Sequence, residues 1–412
     1  MFHATVKLPG SKSITNRAHI LNFLSKSPAR LRGALVSEDT EHMMECVRRV
    51  QEVRGRGGEE VVDLFVGNSG TTARFLIPAL LHYPGSYRVD GVPRMRERPM
   101  RGLIEAMRQL GAEVRCLDKT DALPILLRTY PKISPYAEVE VEKTSQFLSG
   151  LLMALPLAAH PQLTLQLSGP LQSEPYVAIT LRMMAQFGLK HLPVYDAGAH
   201  CYRIMGGQDY APPEEYGIEP DASAASYFMA LAAIHAGSSV FVPELTTNAL
   251  QGDVAFAQVL SRMGAEVEYT EKGIRVTGTD RLCGVDVDMN AISDTVMTLA
   301  AIAPLADSPT TIRNVAHIRL KESDRIAATA TELRRLGVRV EEREDGLRIF
   351  PTRKFQSAEI ETYEDHRIAM AFAVLGTRVS GMRIRNPKCV AKTFPGFFEV
   401  LEQVLRSSRG GV

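Results

Sequence analysis

Two phrases of apolar and polar residues alternate along the 412-residue chain. In the first, an amphipathic stretch ends in Gly and runs into a short alternating segment. It occurs at residues 102–114 (GLIEAMRQLGAEV), 177–190 (VAITLRMMAQFGLK), 254–267 (VAFAQVLSRMGAEV) and 326–340 (IAATATELRRLGVRV), with a more degenerate copy at 42–53. The apolar spacing predicts helices, and the Gly suits a left-handed C-cap because it has no Cβ to clash. The Ala/Val-Glu-Val that follows alternates as a half-buried strand does. The second phrase opens on small polar residues and becomes apolar nearly all round. It starts six times, at Ser11, Asn68, Thr144, Asp221, Ser293 and Glu364. A Ser/Thr/Asp/Asn start followed by apolar residues on every face predicts a capped, buried helix. Val/Ile/Leu-rich segments such as 163–167 and 239–242 lie between and predict strands.

The six starts are spaced by roughly 70 residues, which predicts an α/β chain of six small units, three per domain if the halves are equal. The length itself exceeds one ordinary core, so at least two domains are expected. A boundary is expected at Gly217-Ile218-Glu219-Pro220, after the Pro/Glu-rich residues 211–216. Only the Arg/Gly-rich tail 406–411 reads as frayed.

Composition narrows the function classes. With 45% apolar and 23% charged residues the chain reads as a globular protein. No apolar run is long enough to span a bilayer, and residues 1–7 lack a signal-peptide pattern, so a cytoplasmic protein is expected. Cys46, Cys116, Cys201, Cys283 and Cys389 are odd in number and scattered, without a CxxC or Cys/His cluster, so no disulfide framework and no metal site are expected. Forty-eight basic residues nearly balance forty-seven acidic ones, which argues against a nucleic-acid partner. Yet cations are locally dense: Arg94, Arg96, Arg98 and Arg101; Arg319, Lys321 and Arg325; Arg383, Arg385, Lys388 and Lys392. Such density on a neutral chain suits a small, highly charged anion.

The starts of the apolar helices carry chemistry-bearing residues: Lys12 and Arg17; Asn68 and Arg74; Ser145 and Gln146; Asp294; Asp365, His366 and Arg367. A helix N-terminus offers unpaired N–H groups and partial positive charge to an anion. If the six starts face one cleft, they converge on one anionic ligand. Each residue also has a plainer reading. Asp294 can cap a helix, Glu322 and Arg325 can form a surface ion pair at i,i+3, and His366 can be an interior histidine with its bonds satisfied. Ser145 and Ser173 can be caps or turn residues, and the methionines of the apolar helices read as core.

In family order, the motifs at 8–17 (LPGSKSITNR), 67–74 (GNSGTTAR), 93–99 (PRMRERP), 145–148 (SQFL), 173–176 (SEPY), 321–325 (KESDR), 365–367 (DHR) and 391–395 (AKTFP) make the chain resemble the 5-enolpyruvylshikimate-3-phosphate synthase family. The resemblance implies an α/β (α+β) protein, an inside-out α/β barrel of repeated βαβαββ units with three in each of two lobes. It implies one lobe at 11–217, the other at 1–10 with 218–412, and the active site in the cleft between them. It implies transfer of the enolpyruvyl group of phosphoenolpyruvate to the 5-hydroxyl of shikimate 3-phosphate, with no cofactor, no metal, glyphosate as an inhibitor, and a monomeric enzyme. By resemblance Lys12, Asn68, Gly70, Arg98, Gln146, Arg325, Arg367 and Lys392 hold phosphoenolpyruvate. Shikimate 3-phosphate falls to Lys12, Ser13, Arg17, Thr144, Ser145, Gln146, Ser173, Tyr176, Asp294, His317 and Lys321. Asp294, Glu322, Lys12 and His366 are the expected proton or charge partners. Three positions depart from the pattern. Thr144 stands where many members have Ser, His317 where some have Asn, and Phe75 replaces a frequent Pro. A histidine at 317 makes that contact pH-sensitive in expectation. A sister transferase acting on a UDP-sugar would show Asn after the early Lys and a reactive loop Cys, and neither is present. An RNA-end cyclase of related fold would need a basic binding face.

Overall fold

The structure is a computed structural model that describes residues 1–53 and 60–407, so the expected frayed tail beyond Ser407 lies outside the described residues. The chain divides into two compact units, Met1–Ser11 with Glu219–Val412, and Lys12–Ile218.

Within the unit Lys12–Ile218, one βαβαββ module runs Val61–Phe65, Gly70–Ala79, Gly85–Asp90, Arg101–Gln109, Glu113–Cys116 and Ile125–Thr129. The first two strands are parallel, Val61 opposite Ser86 through Phe65 opposite Asp90, and the last two close the sheet antiparallel. A second module repeats the pattern from Tyr136–Glu140 through the helices Gln146–Ala154 and Glu174–Gln186 to Cys201–Ile204. A third, shorter one pairs Arg30–Arg32 with Glu215–Gly217 in parallel, beside the helices Lys12–Leu24 and Glu38–Val53. The other unit holds the same three: a sheet around Ser239–Pro243, a sheet around Thr310–Arg313, and the two-stranded pair Glu359–Ile360 with Arg383–Ile384. Its first strand, His3–Thr5, pairs in parallel with Ser239–Pro243, which ties the N-terminal residues into a unit otherwise built from Glu219 onward.

Local chemistry explains why the modules repeat. Each parallel pair needs a crossover, and an apolar helix supplies it: every residue of Gly70–Ala79, Ala222–Ala233 and Val296–Ile302 is buried. Ser69 and Asp221 cap the first two through side-chain oxygens that accept the N–H of Thr72 and Ala224. The amphipathic helices end as their sequences predict. Gly111, Gly188, Gly264 and Gly337 have φ of +101°, +78°, +105° and +80°. In each case the next residue's N–H reaches back five positions, as in Ala112 to Met107 at 3.0 Å and Leu189 to Met184 at 3.1 Å. This is the Schellman closure, available without strain only to glycine. Two strands begin later than the alternation suggests, Val194–Asp196 and Val340–Arg343, and the helix expected from residue 254 begins as a tight 3₁₀ turn at Gly252–Ala255. Among the described residues no helix is long and apolar enough to cross a membrane.

A Cβ added at Gly188 would lie 2.3 Å from the Ala211 carbonyl oxygen, while one at Gly207 (φ +68°) would meet nothing within 4 Å. Gly207→Ala is therefore expected to cost about 1 kcal/mol for backbone strain alone, and Gly188→Ala more than about 2 kcal/mol, read from urea midpoints by circular dichroism.

Candidate active site

In the unit Lys12–Ile218 the N-terminal turns of four helices are cross-tied. Asn16 Nδ2 donates to Thr71 Oγ1 at 2.7 Å. Arg17, fully buried, donates to Thr180 Oγ1 at 2.8 Å, to the Ser13 carbonyl at 2.9 Å and to the Tyr176 carbonyl at 3.0 Å. Arg74 donates to Gln146 Oε1 at 2.8 Å and to the Pro99 carbonyl at 3.0 Å. Burial lowers the Arg17 guanidinium to about 10, so it remains a cation at neutral pH, lying over the Phe75 ring at 4.9 Å. Phe75, one of the departures from the family pattern, thus serves as the apolar cover of Arg17.

On this frame sit the sequence candidates. Lys12 opens the helix Lys12–Leu24, and its Nζ lies 3.4 Å from Asp39 Oδ2. Arg98 leaves the short helix Pro93–Glu97 and donates to the Asn68 carbonyl at 3.1 Å, against Gly70. A Cβ at Gly70 would stand 2.6 Å from an Arg98 terminal nitrogen, so only glycine permits that approach. Of the dense basic loop only Arg98 turns inward. Arg96 pairs with Asp90 at 2.8 Å, Arg94 with Glu97 at 3.0 Å, and Arg101 is largely exposed. Thr144 Oγ1 accepts the Gln146 N–H at 3.2 Å, so the threonine keeps the hydroxyl function at the helix start. Ser145 is buried, and Ser173, also buried, stands at φ +53° before the helix Glu174–Gln186. A non-glycine left-handed residue at a helix start signals a constraint beyond ordinary capping.

In the other unit the candidates form a web around Arg325. Its Nε donates to Asp365 Oδ2 at 2.8 Å, and its terminal nitrogens donate to Asp294 Oδ1 at 3.1 Å and Glu322 Oε2 at 2.9 Å. Arg367 donates to Asp294 Oδ2 at 2.7 Å, and Lys392 Nζ lies 3.6 Å from Glu322 Oε1. Burial alone would weaken the Arg325 cation, and Asp365, Glu322 and Asp294 more than reverse that, raising it above the ordinary arginine range. The plainer readings of Glu322 and Asp294 therefore do not hold. The Glu322–Arg325 pair is 8% and 2% exposed rather than on the surface. Asp294 lies in the 3₁₀ turn Asn290–Thr295, two residues before the helix Val296–Ile302, and bridges two arginines. His366 is wholly buried with Nδ1 3.7 Å from Asp365 Oδ1. His317 is buried too. Burial, then Lys321, lowers it to about 3, so its imidazole is neutral across the physiological range. Lys321 is half-buried beside it in sequence.

Several contributors were not named from sequence as site residues. Asp39 is the partner of Lys12, and Tyr227 OH lies 3.4 Å from Arg367. Asp365, singled out at its helix start without a role, binds Arg325 while accepting the Arg367 N–H at 3.0 Å. Asp253 accepts from Ser223 Oγ at 3.0 Å. Burial, then the charge of Asp294, raises Asp253 to about 7. Asp365 was marked by its helix start and by the 365–367 motif but given no role, and nothing local marked Asp39. Among the described residues no group of three or more His, Cys, Asp or Glu could hold a metal ion.

A carboxyl raised from 3.8 to about 7 holds its proton longer in the folded state. Its contribution to stability is complete below about pH 4 and is lost as pH rises through 7. Asp253→Asn is therefore expected to flatten the pH dependence of the thermal midpoint between pH 4 and 8, gaining on the parent protein as pH rises.

Comparison with known proteins gives the following. The family model "EPSP synthase (3-phosphoshikimate 1-carboxyvinyltransferase)" matches residues 2–401. A 3-phosphoshikimate 1-carboxyvinyltransferase of Nostoc punctiforme is 45% identical over 97% of this chain and 97% of its own length. One of Idiomarina loihiensis is 41% identical over 98% and 96%. The chloroplastic protein of Arabidopsis thaliana is 40% identical over 97% of this chain and 82% of its own. The solved EPSP synthase of Acinetobacter baumannii superposes with a TM-score of 0.78 at 25% identity, covering 98% of this chain and 96% of that one.

Proposed function

The chain belongs to the EPSP synthase family, transferring the enolpyruvyl group of phosphoenolpyruvate to the 5-hydroxyl of shikimate 3-phosphate, and from that premise we propose which residues carry the reaction. The observation that carries the assignment is the Arg325 web: three cations, Arg325, Arg367 and Lys392, held against Asp294, Glu322 and Asp365 out of solvent. A buried cation that already binds carboxylates binds an incoming carboxylate or phosphate with the same bidentate geometry.

In this reading Arg325, Arg367 and Lys392 grip phosphoenolpyruvate, with Lys12, Asn68, Gly70, Arg98 and Gln146 from the other unit acting on the same substrate. Ser13, Arg17, Thr144, Ser145, Ser173 and Tyr176, together with His317 and Lys321, hold shikimate 3-phosphate. The 5-oxygen attacks C2 as Asp294 accepts its proton, and Glu322 delivers a proton to C3. The tetrahedral intermediate then returns the C3 proton to Glu322 while the C2–O bond to phosphate breaks. Inorganic phosphate leaves toward the cations, and Lys12 and His366 steady the charge that moves. The two units serve as the two substrate-holding lobes, and the enzyme works in the cytoplasm as a monomer without a cofactor. Glyphosate competes with phosphoenolpyruvate in this account, since it carries the same two anionic ends.

Phosphate release with each substrate omitted in turn tests the reading. Both substrates are required, and UDP-N-acetylglucosamine does not replace shikimate 3-phosphate. Glu322→Gln keeps substrate binding but lowers kcat by about 100-fold, the usual worth of a positioned acid–base group; near-normal turnover removes it from the proton transfer. Gly70→Ala, whose methyl displaces Arg98, raises the KM for phosphoenolpyruvate about tenfold, leaves that for shikimate 3-phosphate nearly unchanged, and weakens glyphosate inhibition in parallel.

A further inference from the structure

A strained turn sets the start of the helix His366–Gly376. The Asp365 N–H donates to the Thr362 carbonyl at 2.8 Å, closing a turn whose central residues, Tyr363 and Glu364, both have φ of +54°. Positive φ at both centres is the mark of a type I′ turn, where Asn and Gly sit easily and Tyr and Glu do not. Strain of this kind persists only where the surroundings over-determine it.

Three side chains do so. Glu332, on the helix Arg325–Arg335, is entirely buried. Its Oε1 accepts from Tyr363 OH at 2.6 Å and its Oε2 from the Glu361 N–H at 3.1 Å. Glu361 Oε1 in turn accepts the Thr362 N–H at 3.1 Å. On the other side Asn386 Nδ2 donates to Glu364 Oε1 at 2.7 Å, and Asn386 immediately precedes Pro387–Lys392, the turn that delivers Lys392. Burial and the bond to Glu332 push the Tyr363 hydroxyl up to about 12, so it donates throughout the working pH range.

We propose that Glu332 is a positioning residue for the anion-gripping pair Arg325 and Arg367, acting by clamping the Thr362–Asp365 turn in its strained form. The turn fixes Asp365, which binds Arg325 at 2.8 Å and accepts the Arg367 N–H at 3.0 Å. The inference rests on the reading that these arginines hold phosphoenolpyruvate, and the experiment separates the two.

In Glu332→Ala the KM for phosphoenolpyruvate rises about tenfold or more, while that for shikimate 3-phosphate stays within about threefold. Glu332→Gln, which can still accept from the Tyr363 hydroxyl, recovers part of the loss. Tyr363→Phe, removing a single hydroxyl, gives a rise of about threefold to fivefold and guards against misfolding of the alanine variant. The deciding variant joins Tyr363→Asn and Glu364→Gly to Glu332→Ala. That turn needs no clamp, and the KM for phosphoenolpyruvate returns to within about threefold of the parent. Unchanged KM in the single variants, equal rises for both substrates, or no rescue by the Asn-Gly turn overturns the proposal. Arg367→Lys scores the parent reading by itself, since an unchanged KM for phosphoenolpyruvate there refutes the grip and not the clamp. The clamp has its own readout: the Arg367 amide exchanges with deuterium about tenfold faster in Glu332→Ala, and unchanged exchange overturns it whatever the ligand.

Discussion

A guanidinium taken wholly out of water must be met by negative charge or by a full set of acceptors, and Arg325 is met by three carboxylates at once. Its side chain is 2% exposed, and Asp365, Glu322 and Asp294 each lie within 3.1 Å of a different nitrogen. Desolvating such a group is unfavourable by several kcal/mol unless the geometry compensates it. The repeated module supplies that geometry. Arg325 starts one helix, Asp365 caps a second, and Asp294 stands just ahead of a third. Three helix starts, two from one module and one from the next, thus make a single electrostatic object.

The unit Lys12–Ile218 solves the same problem with neutral acceptors. Arg17 donates to a hydroxyl and two carbonyls, and Arg98 to the Asn68 carbonyl. These bonds hold the cations in place without cancelling their charge, so their field stays directed at a ligand. The Arg325 web, by contrast, is balanced at three cations against three carboxylates. One unit therefore holds Arg17, Arg74 and Arg98 on neutral acceptors and Lys12 against a carboxylate, and the other holds its cations on carboxylates.

Much of this was legible in the chain. The four left-handed glycines and the apolar crossover helices follow from local rules, because a C-cap and a buried face are decided within a dozen residues. The roles of single charges were less legible. Glu322 and Arg325 read equally as a surface pair, since i,i+3 spacing is the same wherever the helix lies, and only burial separates the cases. Asp39 lies 27 positions from Lys12 and Glu332 lies 31 positions from Tyr363; no spacing rule links such pairs. The positive φ of Tyr363 and Glu364 was invisible for a sharper reason. Their side chains argue against the backbone they adopt, and the turn exists because buried partners elsewhere hold it.

In the proposed reading, the web that grips the substrate anion also acts on the carboxylates beside it. Glu322 accepts from Arg325 at 2.9 Å and lies 3.6 Å from Lys392. A phosphate or carboxylate arriving on those cations competes for their field and adds negative charge nearby, and both effects raise the proton affinity of Glu322 and Asp294. In the proposed reaction Asp294 and Glu322 must take and give protons at carbon and oxygen centres far less acidic than a paired carboxyl. Binding thus moves the acid–base groups toward the reaction's needs by simple charge competition, without a conformational signal of its own. Departure of phosphate then restores the original pairs. On this account a proton-transferring carboxylate can rest in a buried salt bridge. In the proposed reading, a substrate anion takes over the carboxylate's share of cations that the bridge already holds in place.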